Sequence, residues 1–140
     1  MRSPSCFNAD QLSFFEAARY VATQTPPDAV AMSSKEATFY YLTSRRVLSV
    51  DSINARAPER AEEFLQREGV SYAILGHLSD GDIPFSLRLK SACRRLRPER
   101  EFPPRTTVFR VVPAADGDPR ACEILRAYAR DAGRFRSQIF

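Results

Sequence analysis

No run of apolar residues in this sequence approaches the roughly 20 needed to cross a bilayer as a helix, so no membrane-spanning helix is expected. The opening stretch, MRSPSCFNADQLSFFEAARY, lacks the long apolar core of a signal peptide. The chain is expected to be soluble, alone or as the soluble part of something longer. Histidine occurs once, so any imidazole chemistry must use His77. Cysteine occurs three times, at Cys6, Cys93 and Cys122, widely spaced and without a CxxC pair. That excludes a zinc site of the usual spacing and a multi-bridge framework. Cys93 and Cys122 fall in helical patterns and read most simply as small buried hydrophobes, with one disulfide left open. Neither GxGxxG nor GxxxxGK[ST] is present, which removes the two strongest phosphate-cradling signatures.

What is there fits one α/β domain. A chain of 140 residues is large enough to bury about two thirds of its unfolded surface, and its composition is ordinary for a globular protein. The domain is expected over residues 8–132, with flexible tails at 1–7 and 133–140. The net charge of +4 hides an asymmetry: residues 1–87 carry eight basic and eleven acidic side chains, residues 88–140 thirteen and six. A basic C-terminal part suits phosphate, nucleic acid or an anionic membrane surface. A preference for arginine throughout accounts for it more plainly, since Lys35 and Lys90 are the only lysines.

The organising stretch runs from Pro26 to Val50. Ala29-Val30-Ala31-Met32 is a short uncharged run after a Pro-Pro-Asp turn, the form of a strand buried on both faces. Ser33 to Glu36 has the pattern of a capping box opening a helix over Lys35 to Thr43. Arg46 to Val50 reads as a second strand and Asp51 to Asn54 as a polar loop. Before this unit, Asn8 caps a helix to about Gln24, with Phe14, Phe15, Ala18, Val21 and Ala22 on its buried stripe. After it come a helix over 59–68 closed by Gly69, a strand over Val70 to Leu75, and a basic helix from Pro84 to about Leu96. Glu99 to Phe102 and Thr106 to Val112 read as two strands, paired antiparallel or forming one broken edge. A last helix starts at Pro119. The resulting fold class is α/β: a Rossmann-like three-layer α/β/α sandwich with three parallel strands and an antiparallel edge ribbon.

Right-handed crossovers bring the loops after Met32, Val50 and Leu75 to one end of the sheet, where open α/β sheets bind ligands. The candidate ligand-binding residues there are Ser33, Ser34, Lys35, Asp51 and His77. A helix N-terminus with hydroxyls and a lysine can hold an anion, but a cap that only satisfies the helix end explains the same residues. A Ser33 or Ser34, His77, Asp51 triad lacks the G-x-S-x-G elbow. Asp80 and Asp82 beside His77 can ligate a metal, yet DGD is equally a turn. No catalytic residue, metal or cofactor is therefore assigned. Arg45, Arg46, Arg94, Arg95 and Arg97 are the candidates for contact with an anionic surface. No nucleic-acid module is legible, and nucleic acid is not the expected partner.

Order and spacing add a resemblance. Phe15-x-x-x-x-Tyr20-Val21 followed by Thr25-Pro26-Pro27-Asp28-Ala29-Val30-Ala31-Met32-Ser33 resembles the stretch after the last membrane helix of bacterial dolichyl-phosphate-mannose-type glycosyltransferases, polytopic enzymes of the C-superfamily. Tyr40-Tyr41-Leu42-Thr43-Ser44-Arg45-Arg46 is similar to that family's "yy-x-tgRr", with Ser44 in place of the glycine. Gly69-Val70-Ser71-Tyr72-Ala73-Ile74-Leu75 is similar to its "gv-x-Yvv", and Thr107 to Val112 to its closing strand. The resemblance covers about 10–112. It implies a C-terminal extracytoplasmic (periplasmic) domain of a membrane enzyme using a polyprenyl-phosphate sugar donor. The implied catalytic acids lie in the membrane portion, so none is carried onto this chain. The implied partners are that membrane portion, anionic lipid headgroups and, indirectly, the lipid-linked donor. Two other readings stand beside it: a small Rossmann-like domain binding a phosphorylated ligand at the strand ends, and a basic module recruiting nucleic acid or an acidic protein.

Overall fold

A computed structural model describes residues 7–139, with side chains to Ala132. Its centre is a five-stranded mixed sheet in the order β2-β1-β3-β5-β4. The strands are β1 (Val30–Ser33), β2 (Arg46–Ser49), β3 (Tyr72–Leu75), β4 (Leu96–Phe102) and β5 (Thr106–Val111). β1 pairs parallel with β2 and β3, whereas β5 pairs antiparallel with both β3 and β4. Three parallel strands flanked by an antiparallel ribbon is the expected arrangement. The ribbon resolves as two paired strands, and β4 is the edge. Pro98 interrupts the β4 ladder with a register shift, tolerable because one side of that strand has no neighbour.

Side chains alternate between two cores. On one face, Ala31, Tyr72, Ile74 and Val108 meet α1 (Ala9–Gln24) and Phe39 of α2 (Glu36–Thr43). Ala17 and Ala18 let α1 approach the sheet closely, with Phe14 and Val21 filling the space beside them. On the other face, Met32, Ala73, Leu75 and Phe109 meet four helices. These are α3 (Val50–Asn54), α4 (Ala61–Arg67), α5 (Asp82–Ser91) and α6 (Pro119–Ile139). β3 is buried along its whole length because both faces are covered.

Several boundaries depart from expectation. The residues after β2 form the short helix α3, capped by Ser49, in place of a polar loop. α5 starts at Asp82 and stops at Ser91, since Leu96 pairs with Val111 and belongs to β4. Cys93 sits in a 3-10 turn between them. Gly69 ends α4 at φ +64°, the left-handed conformation expected of a helix-closing glycine. The backbone of α6 continues past 132 to Ile139, so 133–139 is helical where a tail was expected. Of the expected tail 1–7, Phe7 packs edge-on against Phe15 at 5.4 Å between ring centres, and residues 1–6 lie outside the described residues.

The cysteines correct the simplest reading. Cys93 and Cys122 are joined in a disulfide, their Cα atoms 5.2 Å apart, linking the turn before β4 to the start of α6. Sequence separation of 29 residues hides this, because only the folded sheet sets α6 beside that turn.

Candidate functional site

The loops after β1, β2 and β3 do converge, and they enclose a cleft of about 510 Å³. Ser34, Lys35, Asp51, Ser79 and Asp80 line it. Its floor is a knot of hydrogen bonds around Asp82, which is fully buried. Asp82 Oδ2 accepts from Leu78 N at 2.8 Å, Ser79 N at 3.2 Å and Ser34 Oγ at 3.2 Å. Asp82 Oδ1 has no partner. Burial pushes the Asp82 carboxyl above its usual range, against the pull of the Leu78, Ser34 and Ser79 hydrogen bonds and of His77. Asn54 ties the same loop from α3, donating to Gly81 O at 3.0 Å.

The expected capping box at Ser33 does not form. Ser33 is buried and donates to Ser34 O at 2.7 Å, while Ser34 turns to Asp82. Lys35 caps α2 with φ 54° and no side-chain bond, because both serine hydroxyls are engaged in joining the two loops. The cleft is acidic: Glu36, Asp51 and Asp80 line it against the single cation Lys35. Such a lining repels a phosphate.

His77 is not part of this cleft. It lines a separate one of about 240 Å³ with Arg105, Thr107, Tyr128 and Asp131. Tyr128 Oη donates to Gly76 O at 2.6 Å, and His77 Nδ1 lies 3.4 Å from Tyr128 Oη. Burial raises the Tyr128 phenol far above its ordinary value, so it stays protonated. A triad of serine, His77 and Asp51 is therefore not assembled. Nor does Asp82 join Asp80 and His77 on a metal, since its carboxylate faces inward to the backbone. Among the described residues no group of three or more His, Cys, Asp or Glu is placed to hold a metal ion. The sequence pattern missed Tyr128 and Arg105 because their positions beside His77 depend on α6 and the β4–β5 turn docking there. For Asp82, the signal was its place two residues before Pro84, in the first turn of α5.

The basic candidates divide. Arg45 is a correction: it is buried, and its guanidinium donates to Thr43 O, Ala22 O and Thr25 O at 2.9, 3.1 and 2.9 Å. It closes the carboxyl end of α1 and faces no external partner. Arg94 and Arg95 both bind Glu62 on α4, and those bonds hold the Glu62 carboxyl below its usual range. Arg46 and Arg97 remain exposed at the two opposite edges of the sheet.

No helix among the described residues is long and apolar enough to cross a membrane. The chain matches no protein-family model, no curated protein and no solved structure.

Proposed function

We propose that this chain is a non-catalytic accessory domain of a bacterial, polyprenyl-phosphate-sugar-dependent membrane glycosyltransferase, placed on the extracytoplasmic face of the membrane. Ser44 carries the reading. It stands where the resembling family has glycine, and it adopts φ 55° at the carboxyl end of α2. A left-handed helix stop is the conformation that favours glycine. The turn therefore has the backbone that a glycine favours, and Ser44, which departs from the family's pattern, is compatible with it.

Two further observations agree. The Cys93–Cys122 disulfide suits an oxidising compartment such as the periplasm. At the strand ends, Ser34 and Asp82 bind each other and the neighbouring loop, as a scaffold requires. On this reading the mixed sheet and its helices are a Rossmann-like three-layer α/β/α sandwich. The domain covers the membrane active site, helps admit the acceptor or assists assembly, with the membrane portion or anionic headgroups as partners.

The full-length protein in its native membrane provides the test. Deleting this domain should lower sugar transfer from a lipid-linked donor, and Cys93 and Cys122 should resist alkylation until reduced. Free thiols at both positions in cells, or transfer indifferent to the deletion, would sink the reading.

A further inference from the structure

Phe64 of α4 is buried, and two arginines lie against its ring: the Cζ atoms of Arg56 and Arg67 are 5.5 and 5.7 Å from its centre. With Arg60 and Glu63 they line a cleft of about 310 Å³. Arg60 pairs with Glu63 at 3.1 Å, Arg67 reaches Glu68 only at 3.9 Å, and Arg56 has no carboxylate within 4.0 Å among the described residues. Arg88, outside the cleft, donates to Asn54 O and Arg56 O and so holds the backbone that carries Arg56. Converging like charges repel one another. The ring attracts two of them by cation–π interaction without neutralising them.

We propose that this cleft binds a phosphoryl group bearing two negative charges. Three lining guanidiniums against the one lining carboxylate, with Glu68 only at the far edge of Arg67's reach, leave a positive surplus that a phosphoryl group offsets. Each guanidinium presents a planar fork of donors, and a phosphoryl group has enough terminal oxygens to take forks from several directions where a carboxylate takes one. The chemistry is the reverse of the acidic cleft beside Lys35. It sits on the crossover from β2 to β3, on the face opposite α1 and α2. The site exists whether or not the chain serves a glycosyltransferase, so the two ideas fail separately.

The experiment titrates the chain with pyrophosphate and with inorganic phosphate by calorimetry. In parallel it measures flotation with neutral phosphatidylcholine vesicles doped with phosphatidic acid or with phosphatidylglycerol. Pyrophosphate binding alone supports the site and names a soluble source; retention by phosphatidic acid vesicles supports it and names a lipid headgroup. An Arg56→Gln/Arg67→Gln variant, its folding checked by melting temperature, should bind about tenfold more weakly or worse. An Arg19→Gln/Arg126→Gln control at two exposed positions outside the cleft, carrying the same net charge, should bind as the parent does. Three results overturn the site: no binding of any probe, equal binding by the cleft variant and the parent, or equal loss in the control.

Discussion

Arg45 closes the end of α1 by donating to Thr25 O at 2.9 Å, across 20 residues of sequence. The same guanidinium reaches Ala22 O and Thr43 O, so one side chain satisfies carbonyls from the helix end, the following loop and the α2–β2 turn. Positive charge at a helix carboxyl terminus also complements its dipole.

Replacing it should therefore be expensive. Arg45→Ala leaves three carbonyls without their charged donor and is expected to lower unfolding free energy by roughly 2–4 kcal/mol. Arg46→Ala, one residue on and exposed, should change it by less than about 0.5 kcal/mol. Urea denaturation of the two variants measures the contrast.

Ser44 predicts a gain. Its left-handed backbone costs a residue with a Cβ about 1–2 kcal/mol, against a smaller entropic penalty for glycine. Ser44→Gly should thus raise stability by up to about 1 kcal/mol, read as a higher melting temperature. A drop would mean that the serine contributes something the backbone argument omits.

Asp82 links stability to pH. Its folded carboxyl titrates above the unfolded value, so folding favours the protonated form. The contribution is complete below the ordinary aspartate range, about pH 4, and is lost as pH rises through the raised folded value. Asp82→Asn keeps an acceptor for Leu78 N but cannot titrate. The parent should gain on this variant as pH falls from 7 toward 4, when both are followed by thermal melts. Asp82→Ala, which removes the acceptor for Leu78 N, Ser79 N and Ser34 Oγ, should be destabilised at every pH by roughly 2–4 kcal/mol.

The disulfide makes a fourth prediction. Cys93→Ser/Cys122→Ser should lose about 2–4 kcal/mol, in keeping with the release of a closed loop in the unfolded chain. Reductant should bring the parent down to the variant and leave the variant unmoved.

How much of this was legible beforehand differs by element. The run from Ala29 to Met32 and the run from Tyr72 to Leu75 announced buried strands because their apolar residues are continuous. Asn8 announced the start of α1 because its box with Gln11 is local, and both bonds form. The end of the basic helix was misplaced: Leu96 looks helical from its neighbours and becomes a strand only through Val111. The expected helix cap was lost for a similar reason. Ser33 carries the pattern of a cap but donates to Ser34 O, while Asp82, 48 residues away, takes the Ser34 hydroxyl.

Spacing of apolar residues and local turn chemistry were sufficient for α1, the three parallel strands and the presence of the ribbon, since both act within a few residues. Which arginines stay free, where His77 points its ring and that Cys93 meets Cys122 were decided by tertiary structure. Those depend on partners that are distant in sequence and near only after the helices dock on the sheet.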